Sequence, residues 1–170
     1  MKKILLSLVV VITSLMAEAQ IVKAELTATG LTCSMCSRAT YKQLTSLPEV
    51  EKVDTDLNKA AFILYFKEGS KVNVGDLKSK VEDAGFSVGE LVVVFNFKNQ
   101  AVANKGSFTQ NGITYTFMDS KNEVLNGETK VKVLDKGFVV EKEYKKLLKK
   151  TDQYPGYANT NNNAYHIKTL

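Results

Sequence analysis

Hydrophobic and polar residues alternate strictly over residues 21–29. Val22, Ala24, Leu26 and Ala28 fall on one side, and Lys23, Glu25, Thr27 and Thr29 on the other. That period of two predicts a half-buried strand ending at Gly30. A loop, Gly30-Leu31-Thr32-Cys33-Ser34-Met35-Cys36, leads into a predicted helix from about Ser34 to Leu47. Cys36, Thr40, Leu44 and Leu47 share its inner stripe, and Pro48 closes it. Val50–Leu57 and Ala60–Phe66 predict a hairpin joined at Asn58-Lys59. Asn73 fits a helix N-cap with Asp76 in the first turn, followed by Leu77, Val81 and Ala84 on one face and Gly85 at the C-terminal stop. From Phe86 the chain is β-prone again. The order to about residue 94 is β-α-β-β-α-β, a ferredoxin-like arrangement within the α+β class.

Beyond that point the pattern changes. Leu91–Phe97, Gly106–Gln110, Ile113–Met118 and Thr129–Leu134 are short strand candidates. Asn111-Gly112 is a strong hairpin signal and Asn126-Gly127 a weaker one. Glu141–Lys150 has a helical apolar face of Tyr144, Leu147 and Leu148. A polar loop spans Tyr154-Pro155-Gly156 and Asn159–Asn163, before a final strand in Ala164–Leu170. Residues 95–170 are therefore expected to form a small β-rich accessory unit, barrel-like and partly open, after a ferredoxin-like domain at 20–94.

The N-terminus belongs to neither. Lys2 and Lys3 precede an apolar run, Ile4–Leu15, and Ala17-Glu18-Ala19 fits a small-x-small cleavage pattern before Gln20. The run is shorter than the roughly 20 residues a membrane span needs. Residues 1–19 are read as a signal peptide, and the mature protein as exported to the periplasm or secreted, without stable membrane insertion. The 170 residues are 44% hydrophobic and 24% charged, with a net charge of +5. The signs are mixed along the chain, which argues against a nucleic-acid partner. The basic run Lys142, Lys145, Lys146, Lys149 and Lys150 is read as a solvated helix face.

The candidate chemistry lies in the two cysteines, Cys33 and Cys36. Two thiolates at a helix start can hold a soft ion such as Cu(I) at low coordination number. The free N–H groups and positive end of the helix favour the thiolate form. A zinc site would want two more Cys or His ligands, and the chain offers only His166. Hg(II), Ag(I) and Cd(II) suit the same sulfurs. No catalytic residue is assigned and no enzyme activity is expected. Two alternatives share the spacing: a thiol–disulfide redox pair, with Cys33 attacking and Cys36 resolving, and a structural bridge.

Gly30-Leu31-Thr32-Cys33-Ser34-Met35-Cys36 resembles the Gly-Met-Thr-Cys-x-x-Cys signature of heavy-metal-associated domains. These occur in copper chaperones, at the N-termini of metal-transporting P-type ATPases and in the periplasmic mercury-binding protein. Leu44, Leu47, Pro48 and Val50 fall where that family has its helix leucines and Leu-Pro-Gly-Val turn. Val53, Asp54 and Lys59-Ala60 match its hairpin, and Glu82-Asp83-Ala84-Gly85-Phe86 its Glu-x-x-Gly-aromatic segment. The resemblance covers about residues 21–94. It implies a metal ion held by Cys33 and Cys36, and a metal-transporting ATPase or other metal-accepting protein as partner. Leu31 replaces the usual Met, Thr40 an apolar β-branched residue, and Glu49 the turn glycine. Phe86 stands where many cytosolic chaperones have Lys. Ala61, Ile63 and Tyr65 form an apolar stripe on the outer face of the hairpin, so a cover on the sheet face away from the helices is expected, from the accessory unit or another protein.

Overall fold

The computed structural model describes residues 19–56, 58–154, 156–158 and 163–170. The expected signal peptide lies outside the described residues, apart from Ala19. So do Leu57, Pro155 and most of the asparagine-rich loop.

The first half follows the expected order. Strand β1 is Gln20–Thr29, helix α1 Ser34–Thr45, β2 Val50–Asp56, β3 Ala61–Phe66 and helix α2 Val74–Asp83, and β4 begins at Ser87. The strands lie in the order β2-β3-β1-β4, and every neighbouring pair is antiparallel. Ala24, Leu26, Phe62, Leu64, Leu91 and Val93 point to one side and are buried together with Leu44 of α1 and with Leu77 and Val81 of α2. Asn73 caps α2 as expected, its side chain accepting from Gly75 N–H at 2.9 Å.

One position departs from strict alternation. Ile21 is fully buried and Val22 only partly. The β1–β4 register slips between Ile21 and Lys23, so an irregularity there turns the side chains over.

The second half adds β5 Ser107–Gln110, β6 Ile113–Phe117, β7 Glu123–Val133, helix α3 Glu141–Leu148 and β8 Ala164–Thr169. All eight strands belong to one sheet, ordered β2-β3-β1-β4-β7-β8-β6-β5. The join is β4, 16 residues from Ser87 to Val102. It pairs with β1 along its first part and with β7 from Val92 to Val102. The boundary expected near residue 94 thus falls inside a continuous strand. Leu91, Val93, Phe95 and Phe97 are buried on one face of β4, and Val92 and Val94 on the other. A strand apolar on both faces suits the centre of a sheet.

The C-terminal part is β-rich, and its sheet curls. Phe108 of β5 meets Phe95 and Phe97 of β4, each with ring centroids 5.3 Å apart, although β7, β8 and β6 lie between them in the ladder. Asn111-Gly112 makes the β5–β6 hairpin. Asn126-Gly127 does not make a turn: it lies within β7, opposite a register shift between Phe97 and Gln100 of β4. Asn99 and Gly127 both have positive φ there, so the pair marks a bulge.

The accessory strands do not cover the hairpin stripe. They extend the sheet from its β4 edge, on the far side of β1 from β3. Ala61, Ile63 and Tyr65 stay partly exposed, with the ammonium groups of Lys23 and Lys52 over the Tyr65 ring at 5.7 and 5.5 Å. Lysine stems can shelter apolar surface in this way.

A candidate soft-metal loop at the start of α1

Gly30, φ +84°, turns the chain out of β1, a conformation that favours glycine. A Cβ at this position would lie 3.7 Å from Phe86 Cδ1, so the Phe86 ring stands beside the loop's first residue. Leu31 and Phe86 are partly buried against the core. Leu31 therefore anchors the loop to the core.

Cys33 is the N-cap of α1. Its backbone is extended, φ −146° and ψ 158°, and its Sγ accepts from Cys36 N–H at 3.3 Å. N-caps are usually Ser, Thr, Asp or Asn, whose oxygen satisfies a free N–H; here a sulfur fills that role. Cys33 O in turn accepts from Ser37 N–H at 3.2 Å. Cys33 is exposed and Cys36 half-buried. Their Cα atoms are 5.3 Å apart and the sulfurs are joined as a disulfide. The two predicted ligands are thus brought together at the helix start. Met35 between them is 70% exposed, as a first-turn residue facing solvent.

Thr40 is fully buried. Its hydroxyl donates to Cys36 O at 3.2 Å, which satisfies the polar atom inside its own helix. The threonine is therefore accommodated in the core.

His166 is placed elsewhere. It lies on β8, 8% exposed, with Nδ1 2.9 Å from Asp135 Oδ1 and its N–H donating to Asp135 Oδ2 at 2.6 Å. It is therefore a buried, partnered residue of the final strand, well away from the cysteines in the chain. Sequence reasoning missed Asp135, because 31 residues separate the pair and no local pattern links them. Among the described residues, no group of three or more His, Cys, Asp or Glu side chains could hold a metal.

The electrostatics of the neighbouring sheet face are worked out by ion pairs. Lys130 donates to Glu25 Oε1 at 2.9 Å, which holds the Glu25 carboxyl below its usual range against the opposing effect of burial, with Lys23 adding to the fall. Burial acts to lower the Lys132 pKa, but Glu90 and Glu143, at 2.6 and 3.0 Å, outweigh it and raise it.

Comparison with known proteins gives partial likenesses. No family model matches the chain, and no curated protein matches it. Among solved structures, the chain is similar to the yeast copper transporter domain CCC2A, studied in apo and Cu(I)-loaded states, at 29% identity over 38% of this chain and 88% of that one, with a TM-score of 0.35. It is similar to the CopZ metallochaperone at 27% identity over 39% of this chain and 97% of that one, with a TM-score of 0.36. The N-terminal domain of ZntA matches at 16% identity over 41% of this chain and 90% of that one, with a TM-score of 0.35. At TM-scores of this size the likenesses carry no argument about function. The ferredoxin-like order stands on the strand pairings themselves.

Proposed function

We propose that the chain is an exported protein that captures or delivers a thiophilic ion, Cu(I) first among the candidates, through Cys33 and Cys36. One observation carries the reading: two cysteines meet at the exposed start of a helix, one of them capping it through sulfur. Reduction of the disulfide frees two thiols whose anions face the helix's unpaired N–H groups. Two thiolates and one Cu(I) make a unit of net charge −1, which the same helix end favours. Low coordination at the surface lets the ion pass to a partner by ligand exchange. A metal-transporting ATPase or another metal-accepting protein is the matching kind of partner. Hg(II), Ag(I) and Cd(II) suit the same donors. Catalysis is not required.

Titration with Cu(I) under reducing, anaerobic conditions tests this. Binding of one ion per chain is expected, with loss in both Cys33→Ala and Cys36→Ala. A fully reduced chain that ignores cuprous ion would overturn the reading.

A second reading has its own observation, the disulfide itself. A thiol–disulfide redox protein would use Cys33, the more exposed residue, as the attacking thiolate and Cys36 as its resolver. Sustained turnover of a disulfide substrate, together with weak metal affinity, would favour it.

A further inference from the structure

At the end of β1 opposite the cysteines lies a cavity of about 170 Å³, whose lining includes Ala19, Gln20, Ser70, Asn96, Lys98 and Gln110. Two buried oxygens among the lining residues, Ser70 Oγ and Gln110 Oε1, have no hydrogen-bond partner, and Gln110 is only 8% exposed. Buried polar atoms of this kind call for a donor. Ala19 is itself 4% exposed, and Gln20 is the first residue of β1, opposite Asn96 of β4.

We propose that this pocket receives the new α-amino group of Gln20 once the segment ending at Ala19 has been removed, with Ser70 Oγ and Gln110 Oε1 accepting its protons. The proposal rests on the export reading above. Cleavage of the Ala19–Gln20 bond by water leaves the carboxyl on Ala19 and the amine on Gln20. The Gln20 nitrogen then carries protons that the intact peptide bond lacked, in the cavity whose acceptors lack donors. Departure of the buried Ala19 side chain gives that amine room. The lining contains no carboxylate, so hydrogen bonds to neutral oxygens hold the terminus. Lys98 is the one like charge in the lining, and it is exposed to solvent, which screens it.

The experiment uses the full chain, made with its own leader in a bacterial host and purified from the exported fraction. N-terminal sequencing and intact mass first establish where the chain begins. An amine-acylating reagent at neutral pH, read by peptide mass spectrometry, then compares labelling of the Gln20 amine in the native and urea-unfolded protein. Native labelling is expected to be about tenfold slower or more, a ratio equivalent to ~1.4 kcal/mol. Ser70→Ala, Gln110→Leu and the double variant, checked for unchanged circular dichroism, are expected to raise it toward the unfolded rate. Native labelling as fast as unfolded, or variants no faster than wild type, would show a cavity filled by water alone and overturn the proposal. A Gln20 cyclised to its lactam, with loss of ammonia, overturns it while leaving export intact. A chain left uncut, or cut at another bond, overturns the proposal while leaving export intact; a chain that never reaches the exported fraction overturns both.

Discussion

Side chains around the cysteine loop act through single, identifiable bonds. Thr40 offers its hydroxyl to Cys36 O inside the helix, so Thr40→Val removes one satisfied bond with little change of shape. The expected stability change is within about 1 kcal/mol, because a satisfied hydrogen bond contributes on that order; denaturant midpoints check it. Leu44 is different: it is fully buried between α1 and the sheet. Leu44→Ala should cost roughly 2–5 kcal/mol through lost contact and the cavity left behind, read from the same midpoints. Glu25 makes the pH prediction. Its carboxyl is held low chiefly by the Lys130 hydrogen bond. The contribution is therefore present above the ordinary carboxylate range and lost as pH falls through the lowered folded value. Lys130→Ala should move the Glu25 titration upward in a carboxyl NMR experiment. The stability difference between variant and wild type should vanish at low pH. The pair is surface-exposed, so its size is at most about 1 kcal/mol.

Elements are joined by a few close approaches. Gly75, in the first turn of α2, lies so near β8 that a Cβ there would sit 2.7 Å from Tyr165 Oη. Gly75→Ala should destabilise the protein by about 1–3 kcal/mol, the usual range for overpacking. Adding Tyr165→Phe should recover part of the loss, which a double-mutant cycle reads. The Tyr165 phenol lies in the same packing: burial, then the nearby Asp135 and Asp76 carboxylates, push it up to about 12. Elements of this kind were legible where their cause is local. The β1 alternation, the Asn73 cap, the Asn111-Gly112 hairpin and the Cys-x-x-Cys helix start all follow from neighbouring residues. The pairing of Asp135 with His166, the slip at Ile21 and the bulge at Asn126-Gly127 depend on a partner strand. No short window of sequence contains that partner. Cys33 as a sulfur N-cap was half legible: its place before the helix was visible, its capping role was not.

At the scale of the whole molecule, β4 decides the behaviour. It belongs to the ladders of both halves, and Phe95 and Phe97 continue one aromatic core into β5. Denaturation followed at the Cys33 loop and at the C-terminal tyrosines should therefore give coincident transitions. Two resolved transitions would mean that the halves melt apart. Truncation after residue 94 should leave an unpaired, apolar β4 edge, and the product is expected to self-associate in light scattering. The change of pattern beyond residue 94 was visible in the sequence, but strand order was not. Alternation and turn signals are local, whereas the placing of β7 beside β4 and of β8 between β7 and β6 is a long-range choice.

The direction of β1 has a practical corollary. Its ten residues, at about 3.3 Å each, put Gln20 and Thr29 roughly 30 Å apart, at opposite ends of the strand. A bead or dye attached at the Gln20 end, on the exposed Lys98 beside it, would therefore leave Cys33 and Cys36 facing open solution. A surface to which the chain is tethered by that end would display the two sulfurs outward, toward the surrounding solution.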